Sequence, residues 1–144
     1  MYILDTNLVS EMRKAQSTRT GAARANVRVK TWLDSVPPSI LYLSAITVLE
    51  LEIGCLRLER RDPLQGKTLR TWIDKLVLPA FAGRILPVDV PVALRCASLY
   101  IPNPPAGRDA LIAATALAHG MTVVTRNPAD FASTGVRLLN PWQD

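Results

Sequence analysis

Four acidic side chains in this chain stand where a globular fold has little ordinary use for them. Asp5 ends the apolar run Tyr2-Ile3-Leu4, and Glu50 lies inside the apolar stretch that runs from Ser44 to Ile53. Asp109 opens an alanine-rich segment, and Asp130 follows Val-Val-Thr-Arg-Asn at 123–127. A carboxylate among apolar neighbours is costly unless it is paired or binds a cation. Carboxylate oxygens gathered from several positions are what Mg2+ or Mn2+ requires. An ion so held can activate water, so these residue types point to metal-assisted hydrolysis, with a nuclease as the expected class.

Each acid also has a plainer reading. Asp5 could cap a short helix, Asp109 could be an N-cap or first-turn acid, and Asp130 could cap a one-turn helix or answer Arg126. Glu50 could pair with Arg57 or Arg95. The position of Glu50 favours the metal: four residues after Ile46 and three before Ile53, it falls on an apolar face. Glu52 lies about half a turn away and is expected to be solvated. Thr125 and Asn127 bring further oxygens that could orient a water or a carboxylate. Asn127 and Asp130 remain alternatives for the place closest to the ion.

Composition narrows the partners. The 144 residues carry 17 Lys and Arg against 12 Asp and Glu, a formal net charge of +5, and nearly half are hydrophobic. That length suits one domain, 1–144, with a real core. With the acids drawn into one pocket, the remaining surface is more basic than the net charge states, which suits a phosphodiester substrate. Arg13, Lys14, Arg19, Arg24, Arg28, Lys30 and Arg108 are possible phosphate contacts, though charged runs usually form a solvated face. Arg13, Arg108 and Arg126 are preferred because each follows an edge of the expected site. Cys55 and Cys96 have no metal-motif spacing and read as reduced core thiols. The only histidine, His119, has no partner for zinc or for a serine or cysteine nucleophile, and should end its helix. Neither a leader nor a bilayer-length apolar run is seen, so a soluble cytoplasmic protein is expected.

These residues need a scaffold that brings them to one place. Met1–Leu4 reads as a strand buried on both faces, because it does not alternate. A short helix through Leu8–Ser10 and a polar connection over 15–21 follow, then a helix from Ala22 to Leu33 closed by Pro37-Pro38. Ile40–Leu43 is a second strand, and Ser44 starts a helix whose core stripe is Ile46, Leu49, Ile53 and Leu56. Another helix spans Leu64–Leu78, packing through Leu69, Ile73, Leu76 and Val77. Ile85–Val88 reads as a strand and Val92–Tyr100 as a helix. After the Pro-Asn-Pro-Pro-Ala-Gly loop at 102–107, Asp109–His119 is a helix stopped by Gly120. Met121–Val124 and Val136–Leu139 are the last strands. Short apolar strands separated by helices predict an α/β/α layered fold around a mainly parallel sheet. Ligands of such sheets lie beyond the C-terminal strand ends. Asp5 and Thr125 follow strands directly, and Glu50 and Asp109 lie near helix starts that leave the same edge.

The same motifs carry a family resemblance. Tyr-Ile-Leu-Asp-Thr-Asn at 2–7, Leu-Ser-Ala-Ile-Thr-Val-Leu-Glu-Leu at 43–51 and Asp-Ala-Leu-Ile-Ala-Ala-Thr-Ala at 109–116 occur in order. They are followed by His-Gly-Met-Thr-Val-Val-Thr-Arg-Asn at 119–127, Asp-Phe at 130–131 and Asn-Pro-Trp at 140–142. The whole chain resembles the PIN-domain endoribonucleases, most closely the VapC-type toxins of bacterial toxin–antitoxin pairs. The resemblance implies a PIN-like fold and Mg2+ (or Mn2+) held by Asp5, Glu50, Asp109 and the Asp130 region. It assigns supporting places to Thr6, Asn7, Thr47 and Thr125. Some relatives have an acid where this chain has Asn127, which leaves the fourth ligand open. It also implies a homodimer, an RNA substrate, and inhibition by an antitoxin that carries any DNA binding. A glycosidase, which also uses paired carboxylates, finds few aromatic residues here for sugar stacking. A binding module with structural acids is the rival from another class.

Overall fold

The computed structural model describes residues 1–16 and 24–143. Five strands form one sheet: β1 (Tyr2–Leu4), β2 (Leu41–Ser44), β3 (Ile85–Leu86), β4 (Thr122–Val124) and β5 (Leu138–Leu139). Their order is β3-β2-β1-β4-β5, and all four neighbouring pairs are parallel. The chain builds outward from β1 to β2 and β3, then returns to the other side of β1 for β4 and β5. The order therefore reverses between β1 and β4, where a parallel sheet opens a crevice at its C-terminal edge.

Helices cover both faces. Ile3 and Val123 pack with Ile112, Ala113 and Ala116 of α7 (Gly107–His119), while Leu4 and Val124 pack with Leu8, Val29 and Leu51 on the opposite side. All four strand residues are fully buried, which is why β1 and β4 read as unbroken apolar runs. Each such side chain contributes roughly 1.5–3 kcal/mol by leaving water. α1 (Thr6–Gln16) follows β1 directly and continues for 11 residues, well past the short helix expected. The expected connection over 15–21 is helical at 15 and 16; the rest of it lies outside the described residues. α2 (Val27–Ser35) begins later than the expected Ala22, with Asn26 as N-cap accepting from the Arg28 and Val29 N–H groups. Residues 22 and 23 of that expectation lie outside the described residues.

α3 (Ala45–Arg61) starts where expected, with the Ser44 hydroxyl accepting from the Ile46 N–H. Its buried face is different from the one predicted. Thr47, Leu51 and Cys55 are buried, whereas Leu49 and Leu56 are 45% and 54% exposed. Apolar residues occupy nearly every side of this helix, so two stripes competed, and the one with the small residues packs inward. Glu52 is likewise more than a solvated acid: Arg70 of α4 (Pro63–Trp72) grips it through two hydrogen bonds of 2.6 and 3.0 Å. The helix expected through Leu78 is interrupted by a π-helical turn at Ile73–Val77 before the short α5 (Leu78–Ala80). That turn keeps Ile73 and Val77 inside and leaves Leu76 exposed, since the wider turn changes which positions share a face. The strands expected at 85–88 and 136–139 are only two residues each. α6 (Val90–Leu99) and α7 complete the layer, and Gly120 at φ 65° stops α7 as predicted. Cys55 and Cys96 are buried free thiols. No helix among the described residues is long and apolar enough to cross a membrane.

Candidate active site

Asp5 and Thr125 are the residues immediately after β1 and β4, so they straddle the crevice. The Asp5 N–H donates to the Val124 carbonyl at 2.9 Å, extending the ladder by one residue and fixing the Asp5 backbone. Its carboxylate accepts from the Thr125 hydroxyl (2.8 Å), the Thr6 N–H (2.8 Å) and the Asn7 amide (3.3 Å). This differs from ordinary capping, in which the side chain bonds the second or third helical N–H. Here the Leu8 and Val9 N–H groups bond the Asp5 backbone carbonyl instead. The carboxylate is thus aimed along the sheet edge. Burial raises the Asp5 pKa, the Thr125 and Thr6 hydrogen bonds oppose that rise, and repulsion from Glu50 and Asp130 adds to it.

Glu50 enters from the second turn of α3, one turn after Thr47. Its Oε1 accepts from the Thr6 hydroxyl at 2.8 Å, and its Oε2 lies 3.8 Å from the Arg108 Nε. Thr6 thereby bridges the two acids, giving its N–H to Asp5 and its hydroxyl to Glu50. The cationic neighbour is Arg108 rather than Arg57 or Arg95. Asp109, beside Arg108 in the first turn of α7, has its pKa raised to about 6. Burial is the main cause, followed by repulsion from Asp5, Asp130 and Glu50, with Arg108 opposing. α7 begins at Gly107 with Ala106 as N-cap, so Asp109 is not the cap. Asp130 is exposed within a 3-10 segment, Pro128–Thr134. Four acids distant in sequence therefore act on one another electrostatically.

The supporting residues sort themselves by contact. Asn7 donates to Asp5 and to the Thr125 hydroxyl (3.4 Å), while its own Oδ1 accepts from the Arg126 N–H (3.3 Å). Asn127 is exposed, and its N–H donates to the Thr125 hydroxyl at 3.0 Å. Thr47 is fully buried, and its hydroxyl has no hydrogen-bond partner among the described residues. Arg126, next to Thr125 in sequence, has its guanidinium carbon 5.5 Å from the Trp142 ring. Arg13 does not join the acids: it lies over Trp72, 5.6 Å from the ring, between α1 and α4. His119 ends α7 as expected.

Sequence reasoning missed Glu11, which is 5% exposed and accepts from the Asn26 N–H at 2.6 Å while pairing with Lys14. Its place three residues after Leu8 was the available signal. It also gave no role to Asn140, whose side chain bonds the Arg126 carbonyl and the Trp142 N–H. Asn-Pro-Trp was visible as a motif, but the contact across the strand edge was not.

Whether this donor set fits a divalent cation can be judged from its chemistry. Among the described residues no three acids stand close enough to enclose an ion. Mg2+ does not require a closed cage: it is commonly held by one or two carboxylates with water and substrate phosphate completing six oxygens. Hard oxygen ligands, mutual repulsion among them and an orphaned buried hydroxyl one helical turn from Glu50 fit such an ion.

Known proteins resemble this chain in sequence and in fold. The PIN domain family matches residues 2–136. The chain is 41% identical over 152 residues to Toxin FitB of Neisseria gonorrhoeae, covering 100% of both proteins. It is 38% identical over 151 residues to VapC ribonuclease Y4jK of Sinorhizobium fredii, covering 99% of both. In structure it is similar to the FitAcB crystal structure from Neisseria gonorrhoeae, with a TM-score of 0.85, 39% identity and 100% of both chains covered. By sequence and by fold, this chain belongs to the PIN domain family.

Proposed function

We propose that residues 1–144 act as one metal-dependent endoribonuclease domain, a toxin kept in check by an antitoxin protein. The observation that carries the reading is the electrostatic coupling of Asp5, Glu50, Asp109 and Asp130 at the reversal point between β1 and β4. The ribonuclease and toxin names belong to full-length relatives at 38% and 41% identity, and their extension to this chain is our inference. An inhibitory antitoxin, with DNA reached only through it, and a homodimer follow from the same family reading.

Asp5, Glu50 and Asp109 would hold Mg2+ or Mn2+, with Asp130 or Asn127 acting directly or through water. When bound, the ion would lower the pKa of a water for attack on phosphorus and stabilise negative charge on the phosphate. The protein's own part is positioning. Thr125, Thr6 and Asn7 fix the Asp5 carboxylate, and the Thr125 and Thr6 hydrogen bonds oppose the rise in its pKa that burial causes. Thr6 sets the Glu50 carboxylate relative to Asp5. Arg108, about half exposed, can leave Glu50 for a substrate phosphate, and Arg126 offers a second cation.

The test is incubation of antitoxin-free protein with total cellular RNA and Mg2+ or Mn2+, beside Asp5→Asn and a chelator control, followed by sequencing of new RNA ends. Discrete ends made only by the wild type with metal establish the activity and identify the RNA. Absence of cleavage by folded wild type, with metal binding confirmed by calorimetry, transfers the reading to an inactive binding module.

A further inference from the structure

The three tryptophans differ in what surrounds them. Trp72 is 8% exposed, donates its indole N–H to Gln16 and carries Arg13 over its ring. Trp32 meets Tyr2 edge-on, with ring centroids 5.2 Å apart. Trp142 is half-buried: it packs against the core cluster that includes Leu4 and Val124, and the Arg126 guanidinium lies over its ring at 5.5 Å.

That pair is tied to the acidic centre by backbone bonds. Thr125, which donates to Asp5, is the neighbour of Arg126 in sequence. The Arg126 N–H donates to Asn7, another Asp5 partner, and its carbonyl accepts from Asn140 at 3.3 Å. Asn140, 5% exposed, accepts in turn from the Trp142 N–H at 3.0 Å. The backbones of both residues are therefore placed relative to Asp5, while the Arg126 side chain is exposed. Arg70, Arg108 and Lys14 pair with carboxylates, but among the described residues Arg126 is in no ion pair.

A cation resting on an indole is a common packing contact, worth about 0.5–1 kcal/mol at an exposed site. What sets this one apart is its place. A ring and a guanidinium stacked on it, on backbones linked by hydrogen bonds to the partners of Asp5, offer what the two parts of a single-stranded nucleotide need: a surface for a base that stacks and a cation for a phosphate that takes charged hydrogen bonds. We propose that Arg126 and Trp142 form a nucleotide-binding subsite for single-stranded RNA beside the cleaved bond. The indole stacks one base, and the guanidinium moves from the ring to the adjoining phosphate. The proposal rests on the nuclease reading for its substrate class.

The test is fluorescence anisotropy with fluorescein-labelled dodecamers of A and of U, in Ca2+ to hold the RNA uncleaved, and with an abasic dodecamer. Trp142→Ala weakens binding of the A and U dodecamers about 5- to 150-fold, the equivalent of about 1–3 kcal/mol of base stacking. Trp142→Phe, which keeps a ring and guards against a folding defect, stays within about threefold of wild type. Arg126→Gln lowers the salt slope of log affinity by about 0.7, the loss of one phosphate contact to a single strand. The abasic dodecamer is indifferent to Trp142→Ala. Folded Trp142→Ala that binds as wild type does, or wild type that binds none of the dodecamers, overturns the subsite. Dodecamer binding that depends on Trp142 in a protein that cleaves no cellular RNA supports the subsite and removes the nuclease reading.

Discussion

Replacing Asp109 by Asn should make the ion-free protein more stable at neutral pH. Its folded pKa is raised from 3.8 to about 6, mainly by burial and then by the charges of Asp5, Asp130 and Glu50. Above pH 6 the folded protein holds a carboxylate it would rather protonate. Taken at face value the shift converts to about 3 kcal/mol. Asp109 keeps part of its surface in water, and solvent screening removes half or more of that. Asn also gives up the attraction between a carboxylate and the N-terminus of α7, about 0.3–1 kcal/mol. The net gain is about 1 kcal/mol, or about 3–4 °C in Tm for a chain of this size. The sign with pH is fixed by the raised pKa. As pH falls through about 6 the folded wild type takes up the proton that the unfolded chain, with its lower pKa, does not, so wild-type stability rises. Below about pH 4 both states are protonated and this residue adds no further change. Thermal unfolding in EDTA at pH 7.5 and pH 4 should therefore show Asp109→Asn ahead at pH 7.5 and nearly level with wild type at pH 4. A variant less stable at pH 7.5, or a gain undiminished at pH 4, would refute repulsion and desolvation as the state of this acid.

Three other outcomes follow from particular contacts. Mg2+ at about 100 times its Kd should stabilise the wild type by about 2.7 kcal/mol, and calorimetric melts should show that gain lost in Asp5→Asn. Thr6→Val, which removes the hydroxyl bonded to Glu50, should lower RNA cleavage or metal affinity about 10- to 100-fold, read as initial rates across a Mn2+ titration. Leu51→Ala, in the buried face of α3, should cost about 2–5 kcal/mol in urea unfolding, whereas Leu49→Ala at 45% exposure should stay near 0.5 kcal/mol.

The strands that place the acids could be read from sequence because a parallel strand buried on both faces has no polar alternation to conceal it. Tyr2-Ile3-Leu4 and Thr122-Val123-Val124 end in Asp5 and Thr125, and in the fold the Asp5 N–H joins the ladder at Val124. The stop of α7 was equally legible, since Gly120 occupies the left-handed conformation that other residues avoid. The face of α3 was not legible. Its apolar residues surround the helix, and only the packing of Thr47, Leu51 and Cys55 against the core decides which side is inward. The π turn at Ile73–Val77 and the grip of Arg70 on Glu52 are likewise settled between elements.

The two central acids are provided for differently, and that difference bears on what each does. Asp5 receives three hydrogen bonds from Thr125, Thr6 and Asn7. Such donors favour the charged form, so part of the burial cost of this carboxylate is offset from within the fold and its geometry is held before any ligand arrives. Asp109 has no hydrogen-bond partner for its carboxylate among the described residues, only the opposing charge of Arg108. Its charge must be compensated from outside the fold. In the proposed metal-bound state a divalent ion would supply that compensation, and Arg108, relieved of Glu50 and Asp109, could then turn to phosphate. On that proposal the cost carried by Asp109 in the ion-free protein would be free energy that favours metal binding, and the helix that presents it, α7, is almost wholly buried along one side.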